Sequence, residues 1–319
     1  MNHAALRERF NVFYRLVLFI RQQNIIFAFI IKIEKGMKKG LVLEGGALRA
    51  LFTAGVIDVM MENGITFDGL VGVSAGAAFG CNYKSHQPGR VIRYNKRYAH
   101  DWRYCSVRSW VKTGDLFNGE FDYHLLPDQL DVFDTKTFDA SPMEYYAVCT
   151  DLETGKPVYK LLMQHGYECY EWIRASSSMP LAAKIVEVGG RKLLDGGIAD
   201  SVPLKFFERK GYDKNVVVLT QPLDYIKKPN SLLPLFRLQL HRYPNFLRAV
   251  ANRHEMYNEQ TAYVRQREQE GAAFVIRPKE ILPIKHLTHN PVLMQQVYDD
   301  GRKVMEERMN ELKEFLKTT

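Results

Sequence analysis

The sequence has few cysteines, and none of them follows a pairing or metal-binding pattern. There are 4 in 319 residues, with no C-x-x-C pair and no metal-like spacing relative to histidine. The positions are Cys81, Cys105, Cys149 and Cys169. A disulfide-rich secreted domain is therefore excluded, and we expect four reduced thiols in a cytoplasmic protein.

The sequence also has no hydrophobic run long enough to cross a bilayer. Residues 10–33 are markedly apolar, but Arg15, Arg21 and the polar residues 22–24 interrupt them. The remaining apolar runs are far shorter than the roughly 18 to 20 residues that a bilayer requires, and no cleavage site for a secretory signal follows them. Residues 1–36 are read as an amphipathic helix on a membrane surface, as an extension outside a folded unit that starts at Met37, or as an extra packed helix.

Acidic residues are outnumbered by basic ones. Lys and Arg total 44 against 36 Asp and Glu, which gives a net charge of +8. This excess favours contact with anionic surfaces, but charge alone does not distinguish phospholipid headgroups from nucleic acid. Hydrophobic residues make up 46% and charged residues 25%, as is typical of globular proteins.

One short motif carries chemical information. In LVGVSAGA, residues 70–77, Ser74 lies between Gly72 and Gly76 at the end of an apolar run. Glycines at these two positions suit a sharp turn from strand to helix, in which bulkier side chains would collide. The pattern G-x-S-x-G is typical of a nucleophile elbow, which presents the serine hydroxyl to a substrate.

The surrounding pattern predicts a βαβ unit. Residues 40–43 are predicted to form a strand, and a helix that ends at Asn63 and Gly64 precedes the second strand over residues 67–73. Neighbouring parallel strands bring their carboxyl ends to one sheet edge, so the loop at Gly45 and Gly46 is expected beside Ser74.

The rest of the chain continues the alternation of strands and helices. Further strands are predicted over 145–149, 157–162, 184–188, 191–194, 216–220 and from 272, with helices over 168–175 and from Asn290 and Pro291. Residues 1–36 are treated as an N-terminal extension, 37–223 as the catalytic domain, and 224–319 as a mostly helical region.

The glycine loop that follows the first strand could stabilise negative charge. The amides of Gly45, Gly46 and Ala47 lie at a predicted helix N-terminus, where unpaired N–H groups favour an anion. The sequence here matches neither G-x-G-x-x-G nor G-x-x-x-x-G-K-[ST]. Nucleotide binding is therefore disfavoured, and an oxyanion-binding role is preferred.

Four segments in this order resemble a patatin-like phospholipase domain. They are LVLEGGALRALFTAG, GVSAG, RASSSMP and DGGIADSVP, and they span about Leu41 to Gln221. The later EGAAFVIRP resembles the helical C-terminal extension of a bacterial branch of this family.

The resemblance implies a three-layer α/β fold with a mainly parallel central sheet, followed by a mostly helical C-terminal extension. It implies a catalytic dyad in which Ser74 is the nucleophile and Asp195 the proton acceptor, with no metal or organic cofactor. The family's other motif positions are matched by Gly45, Gly46, Ala47 and Arg49 for the oxyanion loop, and by Gly72, Gly76, Gly196 and Gly197 for the elbow and the D-G-G motif.

Two residues depart from the family loop, which usually reads G-G-G-x-R-G. Ala47 and Ala50 stand where that pattern has glycine. An alanine costs about 1 kcal/mol or more where the backbone needs a positive φ. The alternative to an enzyme is thus a weakened lipid-binding or regulatory protein on the same fold.

Two further alternatives concern the base. Histidines after Asp195 could complete a Ser-His-Asp triad, and Asp195 could be a simple turn aspartate before glycines. The histidines concerned are His241, His254, His286 and His289.

Basic and aromatic residues alternate over residues 90–112. They are Arg90, Arg93, Lys96, Arg97, Arg103, Arg108 and Lys112 with Tyr94, Tyr98, Trp102, Tyr104 and Trp110. Such mixtures suit a solvated helix face, a membrane interface or single-stranded nucleic acid.

The sequence therefore predicts a serine acyl-ester hydrolase that acts on phospholipids, lysophospholipids or similar lipids. We expect it in the cytoplasm, with peripheral contact at an anionic membrane surface and no nucleic-acid partner.

Overall fold

The structure, a computed structural model, describes residues 37–285 and 287–317. The interpretations of residues 1–36 and of His286 lie outside the described residues. From Lys39 onward the described residues form one compact unit. Up to residue 218 strands and helices alternate, and after it the structure is mainly helical.

The described residues form an eight-stranded sheet. The strands are β1 (Lys38–Leu43), β2 (Gly69–Val73), β3 (Glu144–Asp151), β4 (Pro157–Leu161), β5 (Val186–Val188), β6 (Arg191–Asp195), β7 (Tyr212–Val218) and β8 (Ala273–Ile276). Their order is β5-β6-β3-β2-β1-β7-β8, and β4 also pairs with β3.

The centre of the sheet is parallel and one side is antiparallel. β1 pairs in parallel with β2, β2 with β3, and β7 with β8. The Glu44 amide donates to the Val218 carbonyl, while Gly40 lies beside Asn215, so β1 and β7 also run in the same direction. β4 and β6 run antiparallel to β3, and β5 antiparallel to β6.

The helices occur in the connections and at the C-terminal end. They are α1 (Leu51–Glu62), α2 (Ala75–Lys84), α3 (Arg90–Arg97), α4 (Val107–Thr113), α5 (Thr135–Ala140), α6 (Tyr167–Ser177), α7 (Leu204–Arg209), α8 (Leu233–Leu240), α9 (Pro244–Gln269) and α10 (Pro291–Lys317). Short 3₁₀ turns cover Ala47–Ala50 and Gly196–Ile198, and a π-helical segment covers Phe121–Leu130.

The predicted helix ends are confirmed by their capping groups. α1 ends at Asn63, and Gly64 follows with a φ of 66°. At α10, Asn290 Oδ1 accepts hydrogen bonds from the amides of Val292 and Leu293. The helices between residues 90 and 140 were not predicted.

Side chains of the central strands alternate between two hydrophobic layers. In β1, Leu41 and Leu43 join the cluster that contains α1, α2 and α10, whereas Val42 joins the cluster on the other face with α7. Alternation with a period of two residues is the expected consequence of strand geometry. The predicted α/β fold with helices on both faces of the sheet is confirmed.

Two strands meet end to end beside β3. Tyr146 of β3 pairs with Val71 of β2 on one side and with β4 on the other. Cys149 pairs with Asp195 of β6 and also with β4, so β6 lies on the same side of β3 as β2. β2 stops one residue before Ser74, and β6 ends at Asp195, so the fold brings these two residues together.

α10 crosses α1 at two glycines. A Cβ on Gly301 would lie 2.0 Å from the Phe52 carbonyl oxygen, and a Cβ on Gly55 would lie 2.0 Å from the Tyr298 carbonyl oxygen. Backbone atoms cannot move away as a flexible side chain can. The two helices therefore pack in direct backbone contact.

We expect Gly301→Ala to destabilise the protein by about 1 to 3 kcal/mol, because the added methyl group must push α10 away from α1. If only intrinsic helix propensity mattered, alanine would instead stabilise the protein by about 1 kcal/mol relative to glycine. A loss of stability therefore indicates the steric clash between the two helices. Urea denaturation measures it. Asn310→Ala, at an exposed position of α10, is the control and should change stability little; a Gly301→Ala protein as stable as the wild type would contradict the close crossing.

Candidate active site

Ser74 occupies a strained turn between β2 and α2. Its φ is 55° and its ψ is −128°, a conformation that side chains other than glycine rarely adopt. A Cβ on Gly72 would lie 2.6 Å from the Ala77 backbone, and one on Gly76 would lie 2.5 Å from the Leu43 carbonyl oxygen. The two glycines are therefore required by close approach of the backbone, as the sequence pattern indicates.

The turn is held from the opposite side by a second serine. The Ser74 amide donates to Ser176 Oγ at 2.9 Å, and the Ser176 hydroxyl donates to the Val148 carbonyl at 2.6 Å. Ser176 belongs to the RASSSMP segment, but the sequence did not indicate this role. It ties the end of α6 to the turn.

Asp195 lies beside Ser74, close enough for the serine side chain to act on the pKa of its carboxyl. The Gly197 amide donates to Asp195 Oδ1 at 2.8 Å, and the Thr150 hydroxyl donates to the Asp195 carbonyl. At Gly196, a Cβ would lie 2.0 Å from the Val148 carbonyl oxygen, so only glycine fits there. Asp195 is 3% exposed and Ser74 is 9% exposed.

Burial changes the acidity of the Asp195 carboxyl. Removal from water raises its pKa above the usual value, while the Arg253 guanidinium and the hydrogen bond with Ser74 act in the opposite direction. The net effect is a raised pKa. A carboxylate with a higher pKa is a stronger proton acceptor.

The glycine loop approaches Ser74 closely. A Cβ on Gly45 would lie 2.7 Å from Ser74 Cβ, and a Cβ on Gly46 would lie 2.7 Å from Thr220 Oγ1. In the described part of the chain, the amides of Gly45, Gly46 and Ala47 donate to no protein acceptor. They are available to an oxyanion next to Ser74.

The two alanines of this loop differ in conformation. Ala47 has a φ of 49°, whereas Ala50 has a φ of −68°. Only Ala47 therefore adopts the conformation that favours glycine, and Ala50 carries no such strain. Arg49, between them, lies close enough to Glu44 to lower the pKa of that carboxyl.

Glu44 anchors the start of the loop and was not identified from the sequence. The Thr220 amide donates to Glu44 Oε2 at 2.6 Å, and the Tyr257 hydroxyl donates to Oε1 at 2.8 Å. Burial raises the pKa of Glu44, which is 4% exposed. Its partners lie about two hundred residues away in the sequence, so no local pattern could reveal them.

α9 contacts both loops of the site. Arg253 Nε donates to the Gly197 carbonyl at 2.6 Å, and Tyr257 binds Glu44. Gln260 accepts hydrogen bonds from the amides of residues 201 and 202 and donates to Asp200 Oδ1 at 2.7 Å. These three residues are spaced by four and three positions, so they lie on one face of the helix.

A cavity of about 300 Å³ includes Ser74 in its lining. Most of its wall is apolar or aromatic, and its larger members include Leu48, Phe79, Leu126, Phe133 and Ile173. This size and composition suit an apolar ligand such as an acyl chain.

The basic and aromatic residues of 90–112 divide into two groups. Tyr94 and Tyr104 are buried and line the cavity, and buried Arg90 pairs with Asp131. Trp110, by contrast, is 47% exposed. The segment is therefore not a uniform solvated helix face.

The histidines described after Asp195 have their contacts elsewhere. His241, His254 and His289 each place Nδ1 against a backbone carbonyl, of Leu238, Ala251 and Ala99 respectively. Ser74 is thus in contact with an aspartate and not with one of these three histidines.

All four cysteines are free and buried. Within residues 37–285 and 287–317, no group of three His, Cys, Asp or Glu side chains is arranged to hold a metal. In the same part of the chain, no helix combines the length and apolar character needed to cross a membrane.

Comparison with solved structures gives a distant similarity. VipD from Legionella pneumophila aligns over 86% of this chain and 67% of its own, with a TM-score of 0.44 and 11% identity.

Curated relatives match over little more than half of the chain. A protein of Escherichia coli, "Uncharacterized protein YjjU", is 32% identical over 222 residues, or 63% of this chain and 60% of that protein. "Lysophospholipase NTE1" of Saccharomyces cerevisiae is 29% identical over 190 residues, or 56% of this chain and 10% of that protein. The chain thus corresponds to three fifths of the bacterial relative and a tenth of the yeast one.

Two family models match the chain. A domain of unknown function, DUF6363, matches residues 243–317, which include α9 and α10. The model described as patatin-like phospholipase matches residues 41–207, slightly more than half of the chain, and this range contains Ser74, Asp195 and the glycine loop. The chain therefore belongs to the patatin-like phospholipase family.

Proposed function

We propose that the protein is a serine acyl-ester hydrolase that acts on phospholipids, lysophospholipids or similar lipids. One observation supports this most directly: the Ser74 side chain lies beside the Asp195 carboxyl and also lines an apolar cavity. The nucleophile and its proton acceptor would then lie where an acyl chain enters. The lysophospholipase name of the yeast relative agrees with this substrate class.

The geometry supports a two-step reaction. Ser74 Oγ attacks the ester carbonyl carbon while Asp195 accepts the hydroxyl proton. The proton then passes to the leaving alcohol, and an acyl-enzyme remains on Ser74. In the second step, Asp195 accepts a proton from a water molecule as the water oxygen attacks the acyl carbonyl carbon. The proton then passes from Asp195 to Ser74 Oγ as the Ser74–acyl bond breaks, which releases the fatty acid and restores the serine hydroxyl.

Backbone amides can stabilise the tetrahedral intermediates. The unpaired N–H groups of Gly45, Gly46 and Ala47 lie at the start of a helical turn, where they favour negative charge. The amide of Ala75, which follows the nucleophile, is the other donor expected at a nucleophile elbow.

The alternative is a lipid-binding or regulatory protein with a disabled loop. Ala47 would be the cause, since it occupies a position with positive φ. The loop nevertheless adopts this conformation with alanine present, and its amides stay unpaired in the described chain. This observation favours an active loop.

We expect a fluorophosphonate probe to label Ser74, and Ser74→Ala to abolish both labelling and hydrolysis of a short-chain ester. Asp195→Asn keeps the shape but removes the basic oxygen, so we expect the rate to fall by at least about 10²-fold. Mass spectrometry of the labelled peptide and steady-state kinetics measure these effects.

His241→Ala and His289→Ala are the controls and should remain close to wild-type activity, because neither histidine contacts Ser74. Labelling of another serine would contradict the elbow assignment. If Asp195→Asn stayed active while one of the histidine variants lost activity, the result would support a catalytic triad in place of the proposed dyad.

The two loop alanines form a matched pair for a second experiment. Ala47→Gly relieves a positive φ and should raise stability by up to about 1 kcal/mol, with activity kept or increased. Ala50→Gly relieves nothing and should cost about 0.5 to 1 kcal/mol. Thermal unfolding and ester hydrolysis are measured together; a folded Ala47→Gly protein with clearly lower activity would show that the alanine methyl group suits this loop.

A further inference from the structure

Two helices expose apolar side chains next to each other. On α4, Val107, Trp110 and Val111 form one stripe, and on α8 the exposed residues include Leu235 and Leu238. These five side chains, called here the docking surface, are 47% to 77% exposed. Their large apolar area would be removed from water by a suitable partner.

The two helices border the same depression of the surface. Trp110 and Val111 of α4 line it together with Gln239 of α8 and Ala183. Trp110 Nε1 also donates to the Leu181 carbonyl at 3.0 Å, which fixes the ring next to residues 181–183. Ala183 is shared with the wall of the cavity that contains Ser74, so the docking surface adjoins that cavity.

The two helices of the docking surface carry basic residues and no acidic residue. Residues 106–114, which include α4, contain two cations and no acidic residue. Residues 225–254, which include α8, contain six cations and no acidic residue. Those that are exposed and lie within four positions of the apolar side chains in the sequence are Arg108, Lys112, Arg237 and Arg242.

We propose that the docking surface binds the surface of a lipid bilayer that contains anionic lipids. Apolar side chains with a tryptophan among them insert at the level of the headgroups, and the surrounding cations attract anionic headgroups. Bound in this way, the protein would hold the Ser74 cavity against the membrane. The proposal rests on the proposed function, since it supplies the lipid from the bilayer to that cavity.

Vesicle binding by the full-length Ser74→Ala protein tests this surface without hydrolysis. We expect it to co-sediment with vesicles of phosphatidylglycerol and phosphatidylcholine, and to bind pure phosphatidylcholine at least tenfold more weakly. Val111→Asp and Leu238→Asp should each reduce binding at least tenfold. Val132→Asp is the matched control, because Val132 is 63% exposed but contacts Gln87 beyond the far end of α2.

Unchanged vesicle binding by both aspartate variants would overturn the proposal. Loss of vesicle binding on removal of residues 1–36 would also overturn it, because that segment would then be the membrane contact. A dimer in light scattering that Val111→Asp converts to a monomer would overturn it as well, because the surface would then bind a second copy of the chain. In a protein that keeps Ser74, the Val111→Asp variant should hydrolyse a soluble ester at the wild-type rate. This last measurement separates failure of the docking surface from failure of the proposed function.

A second inference comes from α9, which belongs to the region matched by a domain of unknown function. Its Arg253 binds the carbonyl of Gly197, two residues after Asp195, and its Tyr257 binds Glu44 at the start of the glycine loop. One rigid helix therefore spans the two loops that would supply the base and the oxyanion donors.

We infer that Arg253 is a positioning residue for Asp195, and that α9 gives residues 243–317 a role in the proposed hydrolysis. The Arg253 charge acts on the carboxylate, and its hydrogen bond fixes the loop that carries it. The other titratable groups that act on Asp195, or on which it acts, are Lys227, Tyr123 and Cys149.

We expect Arg253→Met to move the acid limb of the kcat/KM profile to higher pH, because loss of the cation raises the pKa of Asp195. A shift of about one pH unit is a tenfold loss at the acid end, and the loss should shrink as the pH rises. Arg253→Lys should restore part of this shift. Arg248→Met, an exposed cation five residues earlier on α9, is the control.

A wild-type pH profile in a folded Arg253→Met protein would overturn the inference, while Asp195→Asn would still report on the dyad. Equal loss of activity at every pH would also overturn it, since that result indicates a purely structural role. If Asp195→Asn itself remains active, the proposed Ser74–Asp195 dyad fails, and not only the role of Arg253.

Discussion

The site depends on a constraint of strand pairing. One side of β3 is shared by two strands, β2 over its first part and β6 over its last residues, and both of these strands end where they meet. Neither chain can continue in the plane of the sheet. Each must turn away at once, which produces the strained backbone of Ser74 and the D-G-G turn after Asp195. The absence of room for a Cβ at Gly196, where it would lie 2.0 Å from the Val148 carbonyl oxygen of β3, follows from the same crowding.

The contacts among local elements could be predicted from the sequence, and the contacts between distant ones could not. The βαβ unit, the elbow, the hairpin that delivers Asp195 and the ends of α1 and α10 follow from hydrophobic period, glycines and capping residues. Ser74 and Asp195 came from motifs. Ser176, Glu44, Tyr257 and Arg253 did not, because each acts through a partner 56 to 213 residues away. The helices over residues 90–140 have mixed polarity, and buried Arg90 would not be expected in a core.

Buried charge is balanced across the site and not within one pair. Glu44 and Asp195 are acidic side chains with little access to water, and Arg49, Lys227 and Arg253 act on one or both of them. Burial, followed by repulsion from the Arg253 charge, lowers the pKa of Lys227 to about 8. These five charged side chains stabilise the site only when all of them are present, because removal of one leaves another buried charge without its partner.

The path of α9 across the two loops bears on how such a chain can change during evolution. The segments matched by the two family models do not overlap in the sequence. Even so, β8, which lies between α9 and α10 in the sequence, is an edge strand of the sheet, and Arg253 of α9 donates a hydrogen bond to the Gly197 carbonyl. Recombination that exchanged the C-terminal segment for one from a distant relative would also exchange groups that hold the reactive centre. We therefore expect the two segments to be inherited together, and a substitution in one of them to be accompanied by a compensating substitution in the other.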